Sequence, residues 1–558
     1  MRVRIFLILL AVASSAQAAD ISGGHRFVTD EGPAVQLRLL SPDAIEVSYT
    51  LPAQCTAVPF IKKGQDGQET RANWQALDDC GAAGADQLSR NKGACPVLRF
   101  RVPPAISQPG YPAAFPLGQG VYVHLSKYAL ADSCGKVGYH FSAPGILMDG
   151  HSYQGAAVAN AAEDTAALLL QAPQAQRDGE PVAWFDPRLS AAAVAQIKAV
   201  AEGTVNYLRV ALPDARYHPP IMAAVYATRP GGPGIGGDAG DVLRLSLFNW
   251  PSAPGPDEQA NLRLLVAHEF SHRFQLRDAV DVYPDASLIH EGGGEFLRWM
   301  TSVQQGWLTR AQAAADLDQA LTNCALYAEQ RSWRALTPRF IRANRLQYSC
   351  GLAIYTYVLA ARQGVGTAMS RINGFYKELG SGGKPDFGKS MECGSSSPCE
   401  PRWLNLLLSA NGSMDQHWID LFGATGLATL QQPSQAQRDA MVLRAVVKLM
   451  KDNCGGSSGT TETPEGIILD GIKDCKTFSQ DAYVTRIEGL PVFGNPATGE
   501  AITAACKLRH RIELGLRDGG KLDAPCQQPY VMRQQFYHAD IDKVLAALTS
   551  ARREAEYK

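Results

Sequence analysis

Short apolar runs with period two dominate the first third of the chain. Residues 35–39, 44–49 and 97–102 alternate or run apolar with β-branched side chains, and 121–125 and 166–170 add further short runs. Proline and glycine punctuate them, as in YPAAFPLGQG at 111–120. The pattern predicts an antiparallel β domain over residues 19–180. His124, His140 and His151 fall inside it without ligand spacing and read as ordinary histidines.

Past a linker-like segment at 172–181 the period lengthens to that of a helix. Residues 189–208 place Val194, Ile197, Val200, Val205 and Leu208 on one face. Strands at 221–226 and 242–248 flank a glycine-rich loop at 231–240, which lacks G-x-G-x-x-G and precedes a strand, so it is no nucleotide motif. That loop reads either as a flexible hairpin connection or, more sharply, as the flank of an edge strand at 242–248 that takes an extended peptide by strand addition. Helices are expected at 309–330, 352–362, 366–378, 403–430 and 436–450, with a long loop at 380–401 between them. Residues 455–466, GGSSGTTETPEG, read as a linker. Strands at 483–487 and 511–516 and a helix at 539–552 complete the pattern.

Within this frame the stretch 262–300 carries the chemistry. His268-Glu269-Phe270-Ser271-His272 is an H-E-x-x-H pattern in an apolar run of helical spacing, with Asp257 as the expected N-cap. One turn of helix separates the two histidines, so both imidazoles reach one metal ion with Glu269 beside it. Catalytic zinc takes three protein ligands and keeps a fourth position for water. The third ligand is expected from Glu291, which follows His272 after 18 intervening residues, in His290-Glu291-Gly292-Gly293-Gly294-Glu295. Glu295, one turn further on, would accept the free ring N–H of a ligating histidine and fix its tautomer.

These residues resemble the gluzincin metallopeptidases, in particular the aminopeptidase N-like and glycyl aminopeptidase families. The matching positions are His268, Glu269, His272 and Glu291, with His290 where those families usually have Asn. Tyr348-Ser349-Cys350-Gly351 resembles their Y-x-K-G segment, with Cys350 in place of lysine. The resemblance implies one zinc ion per chain, Glu269 as general base and Tyr348 as the hydroxyl that stabilises the tetrahedral intermediate. It also implies a thermolysin-like catalytic domain over 181–454 behind an N-terminal β domain. The G-x-M-E-N strand that holds a free amine in aminopeptidase N-like enzymes has no counterpart at 231–250, where Asp238 and Asp241 are the only acids. Residues 467–558 are expected as a small disulfide-tied α/β domain, in which VTRIEGLPV, a helical segment and IELGLRDGGK faintly resemble a PDZ-like module without its carboxylate-binding loop.

Composition narrows the class. The formal charge of -1, with 46% apolar and 19% charged residues, describes a globular chain, and no basic stripe points to nucleic acid. Residues 1–18, MRVRIFLILLAVASSAQA, read as a secretory signal peptide ending in a small-x-small site; the alternative is a short membrane anchor. All 12 cysteines follow that site, as fits disulfides in an oxidising compartment. Pairing neighbours in chain order gives Cys55 with Cys80, Cys95 with Cys134, Cys324 with Cys350, Cys393 with Cys399, Cys454 with Cys475 and Cys506 with Cys526. The expectation is a multidomain α+β protein, exported to the periplasm or medium, hydrolysing peptides or proteins with zinc and conceivably trimming N-termini. The competing classes are a zinc-containing peptide-binding protein without catalysis and a zinc hydrolase of a non-peptide substrate. Which residues bind substrate is not legible.

Overall fold

Alternation in the first strands turns one face of each towards a shared core. In the computed structural model Val35 and Leu37 of β1 (Ala34–Ser41) and Ile45, Val47 and Tyr49 of β2 (Ala44–Thr50) are all fully buried. The structure describes residues 32–91, 95–104, 113–117, 120–148, 151–159, 166–173, 182–228, 232–239, 242–361, 366–394, 399–454, 459–472, 475–527 and 530–550. The proposed signal peptide, residues 1–18, lies outside them. The chain divides into two compact units, 1–175 and 176–558.

In the first unit nine strands among the described residues form one sheet. β1 pairs antiparallel with β2, but parallel with β3 (Gly138–Met148), from Ala34 opposite Gly138 to Arg38 opposite Ser142. The expected purely antiparallel domain is therefore corrected. About a hundred residues intervene between the two strands, enough for the chain to return in the same direction. Aromatic side chains fill the core around Trp74, which stacks on Tyr128 with 5.4 Å between ring centroids. Buried Arg71 lies over Phe60 and spends its guanidinium on the carbonyls of Lys62, Gly84, Ala85 and Lys127.

Two chain-order disulfides of this unit are wrong. Cys55 bonds Cys134 and Cys80 bonds Cys95. The reason is strand pairing. Phe60 bridges Leu130 antiparallel, which carries Cys55 back towards Cys134. Gly81 pairs with Arg90 and Asn91 N–H donates to Cys80 O, which leaves Cys95 a few residues from Cys80. The other four bonds, Cys324–Cys350, Cys393–Cys399, Cys454–Cys475 and Cys506–Cys526, follow chain order. Each contributes about 2–4 kcal/mol through the unfolded state.

The second unit opens with β4 (Val182–Phe185) and α1 (Ala191–Ala211), capped by Ser190, whose Oγ accepts Ala193 N–H at 3.2 Å. β5 (Ile221–Ala227), β6 (Gly234–Ala239) and β7 (Val242–Phe248) join β4 in a sheet of order β4-β5-β7-β6. The glycine-rich segment read as a loop is thus largely a strand. It occupies the edge position assigned to 242–248, because β7 is paired on both sides, parallel to β5 and antiparallel to β6. α2 (Pro256–Ser271) starts one residue before the expected cap: Gly255 is the N-cap, Pro256 fills the first helical position and Asp257 lies in the first turn.

Helices dominate beyond it: α3 (Gly293–Gln304), α4 (Arg310–Tyr327), α5 (Leu346–Ala360) and α6 (Ala368–Gly380). The helix expected over 403–430 breaks into Trp403–Leu407, Met414–Thr425 and a strand at Ala428–Gln431, which pairs with Phe536–Ala539. Gly426 ends the second piece in the left-handed conformation. After α7 (Gln435–Cys454), residues 460–463 of the expected linker form β8 (Thr460–Thr463), paired with β9 (Gly466–Leu469). β10 (Ala482–Ile487) with the short Leu490–Pro491 beside it, β11 (Arg511–Leu516) and β12 (Lys521–Pro525) complete this sheet, and α8 (Thr498–Arg509) and Val442, Val446 and Leu449 of α7 share its core. Among the described residues no helix is long and apolar enough to cross a membrane.

Candidate metal centre

α2 delivers His268 and Glu269 on its last turn, and the backbone tightens to a 3₁₀ turn at His272–Phe274. All three side chains are buried. His268 Nε2 and His272 Nε2 face each other at 2.9 Å. Glu291 enters from a π-helical turn, Leu288–Gly292, immediately ahead of α3. Its Oε2 lies 3.4 Å from each Nε2 atom. A π turn widens the helix by one residue and is found mostly at functional positions. Here it sets Glu291 against both rings while α3 continues with Glu295 on the next turn.

The Glu291 Oε2 atom is buried and makes no hydrogen bond. A buried carboxylate oxygen without a donor is costly, so it marks a place for a cation. His268, His272 and Glu291 each offer one ligand atom, and these lie within 4.8 Å of one another. Tetrahedral zinc ligands at about 2.1 Å sit about 3.4 Å apart, as the carboxylate does from both rings. Two imidazoles and one carboxylate suit zinc, so the residues fit the ion that the resemblance implies.

Each ring is held from behind. His268 Nδ1 lies 2.8 Å from Glu295 Oε1. Glu295 Oε2 accepts from Arg298 Nη2 at 2.7 Å and Nε at 3.1 Å, and Arg298 Nη1 reaches Asp316 of α4 at 3.5 Å. His272 Nδ1 donates to Gln275 Oε1 at 2.7 Å, and Gln275 Nε2 donates to Ile289 O at 3.2 Å. Because that amide group spends its N–H on Ile289, its oxygen faces the ring, and His272 turns Nε2 to the centre. His290 stacks flat on His272, with 4.1 Å between centroids and 3° between planes.

The charges follow from this packing. Burial alone would raise the Glu295 carboxyl, but the Arg298 guanidinium and then His268 overcome it and hold the group at about 2. Glu291 is likewise driven far below the carboxylate range: burial opposes this, and His272 and His268 outweigh it. Burial would lower His268, but Glu291 and Glu295 raise it to about 10 without a metal. His290 is pushed down to about 4 by burial and by His272.

Glu269 is buried beside the edge strand, where a side chain at Gly237 of β6 would overlap its carboxylate. A Cβ at Gly294 would sit 2.8 Å from His272 Cε1 and 3.3 Å from His268 Cε1, so no larger residue fits beneath the rings. Tyr348 stands in the first turn of α5, and its ring centroid is 5.7 Å from that of His268. Cys350 is bonded to Cys324, which ties α5 to α4. All six residues singled out from the sequence, His268, Glu269, His272, Glu291, Glu295 and Tyr348, therefore meet in one place. Gln275, Arg298 and Gly237 went unread. Arg298 is one turn from Glu295 on the same helix and was legible as an i,i+3 pair. Gln275 gives no such signal, because the helix has already changed pitch.

No family model matches the chain, and no curated protein matches it in sequence. Among solved structures it is similar to an aminopeptidase N family protein from Idiomarina loihiensis, at 13% identity over 93% of this chain and 100% of the other, with a TM-score of 0.49. It is also similar to Legionella pneumophila aminopeptidase A, at 11% identity over 68% of this chain and 49% of the other, with a TM-score of 0.37. Yeast LTA4 hydrolase with bestatin matches at 10% identity over 76% and 72%, with a TM-score of 0.34. Likenesses this distant carry no functional weight, and the reading that follows rests on the site.

Proposed function

We propose that the protein is an exported zinc metallopeptidase that hydrolyses peptide bonds. The supporting observation is the buried Glu291 Oε2 facing the Nε2 atoms of His268 and His272, with the Glu269 carboxylate on the residue after His268 in the same helix. His268, His272 and Glu291 would hold the zinc ion, which when bound supplies a Lewis acid and lowers the pKa of its water towards about 7. Glu269 accepts the proton of the attacking water and passes it to the leaving amine, acting first as base and then as acid. The Tyr348 hydroxyl donates to the oxygen that gains charge as the carbonyl becomes tetrahedral. β6 is paired on one side only among the described residues, and its Gly237 lies against Glu269, so an extended peptide would add to the free edge as a further strand near the site. A closed structural zinc site needs no base, so the buried Glu269 favours hydrolysis over binding alone.

The test is Glu269→Gln. The variant is expected to bind one zinc per chain and to lose peptide hydrolysis by at least about a hundredfold, the usual scale of general-base catalysis. Digestion of a peptide library with and without chelator gives the second readout. Full activity in the variant, or cleavage untouched by the chelator, sinks the assignment.

A further inference from the structure

A charge beside this site has no ion-pair partner among the described residues. Arg345 precedes α5 and is one of few non-glycine residues in the left-handed region, at φ +52°. That conformation costs an arginine on the order of 1 kcal/mol and persists only where the surroundings demand it. What it does locally is plain. Arg345 O accepts Tyr348 N–H at 3.2 Å, which closes the first turn of α5, and Arg345 N–H donates to Arg342 O at 3.1 Å. The turn folds the side chain back, and Cζ comes to rest 5.1 Å from the centroid of the Tyr348 ring.

The guanidinium is exposed and makes no ion pair or side-chain hydrogen bond among the described residues. Stacked on the tyrosine it is a fork held in place, not a swaying surface arginine, so little is lost when it takes a partner. Tyr348 in turn stands against His268, with 5.7 Å between ring centroids, which keeps the guanidinium within about 11 Å of the His268 ring, no more than about three residues of extended chain.

We infer that Arg345 is a substrate-binding residue that recognises a carboxylate two or three residues from the scissile bond, in a peptide with an acidic side chain or a free C-terminus there. Planar guanidinium groups bind carboxylates with two parallel hydrogen bonds, and a partner on this fork would orient the peptide towards Tyr348. This rests on the peptidase reading, so the test measures binding apart from cleavage.

In Glu269→Gln protein, zinc-loaded, four versions of one short peptide are titrated: neutral and amidated, neutral with a free C-terminus, glutamate-containing and amidated, and glutamate-containing with a free C-terminus. The charged forms are expected to bind about tenfold more tightly than the neutral amide, the scale of one charge-assisted contact. Arg345→Asn keeps a residue that tolerates the left-handed turn, and the ratio should collapse towards one; Arg345→Lys, a charge without the fork, should lie between. A gain from the free C-terminus alone identifies terminal recognition, and a gain from glutamate in both backgrounds identifies an acidic side chain; either supports the inference. Equal binding of all four peptides, or a preference that survives Arg345→Asn, overturns it. Wild-type protein that cleaves neutral peptides without binding preference defeats this inference and leaves the peptidase standing. A charge preference lost with Arg345 in a protein that cleaves nothing does the reverse.

Discussion

His268 and His272 stand one helical turn apart and point at the same place, yet the chain holds them by opposite means. Behind His268 runs a line of charges, Glu295 to Arg298 to Asp316, crossing from α3 to α4. Behind His272 stands a neutral amide, Gln275, fixed by the Ile289 carbonyl and by Tyr376. A charged anchor raises the basicity of its ring and must itself be compensated in the interior, whereas a neutral one fixes only the tautomer. The first is strong and dependent on its partners. The second is weaker and independent of pH.

The comparison is broken outright by removing what both rings share. Glu291→Ala takes away the carboxylate that faces both Nε2 atoms, and zinc affinity should fall by more than about a hundredfold, beyond the range seen for outer partners of a ligand. Zinc content after dialysis against a weak chelator checks this. Unchanged stoichiometry would move the third ligand elsewhere.

Next in size is the charged anchor. Arg298→Met leaves Glu295 buried without its cation, and breaking such a pair costs about 3–5 kcal/mol. Urea unfolding of the metal-free protein reads the loss. A midpoint within error of wild type would mean that water already serves Glu295. The same anchor has a pH signature. Glu295 is held at about 2, below its ordinary value of 4.5, so its contribution is complete above the ordinary value and is lost as pH falls through 2. Stability of the metal-free protein should drop across that window, and Glu295→Gln should flatten the drop.

How much of this was legible depends on which forces set each piece. The two histidines and Glu269 are a local matter of helical pitch, and Arg298 one turn from Glu295 belongs to the same class. The arrival of Glu291 rests on a π turn and on Gly292 packing against Gly351, contacts between segments about sixty residues apart that no local pattern encodes. β6 failed as a strand in the sequence because Gly234-Ile235-Gly236-Gly237-Asp238-Ala239 carries few side chains to alternate, although its backbone pairs residue by residue with β7. Cys80 took Cys95, 15 residues on, and Cys55 took Cys134, 79 residues on, because pairing in the sheets decides which thiols meet. The helix expected through 403–430 had the right apolar content, but it breaks after Leu407 and its second piece ends at Gly426, which the pattern had absorbed.

The neutral anchor answers to a smaller change. Gln275→Leu removes the acceptor of His272 Nδ1 and should weaken zinc about ten- to a hundredfold. Competition with a coloured chelator measures it. A loss equal to that of Glu291→Ala would mean that the amide supports the fold of the turn more than the ring.

Smallest, and most direct, is to make the two anchors alike. Gln275→Glu keeps an oxygen facing His272 Nδ1 but removes one of the two donors to Ile289 O, the other being Tyr355 OH, whereas Glu295 keeps Arg298 behind it. The new carboxylate would favour protonated His272, so zinc must displace a proton held more tightly than in the wild type. Near pH 8 the affinity should differ from wild type by less than about tenfold, and the gap should widen as pH falls. Calorimetric titration in buffers of different ionisation enthalpy counts the protons released per zinc bound. One proton more than wild type means that the amide keeps His272 neutral for the metal; an equal count means that its neighbours already set the state of the ring and that the asymmetry between the two histidines has no bearing on how the ion is held.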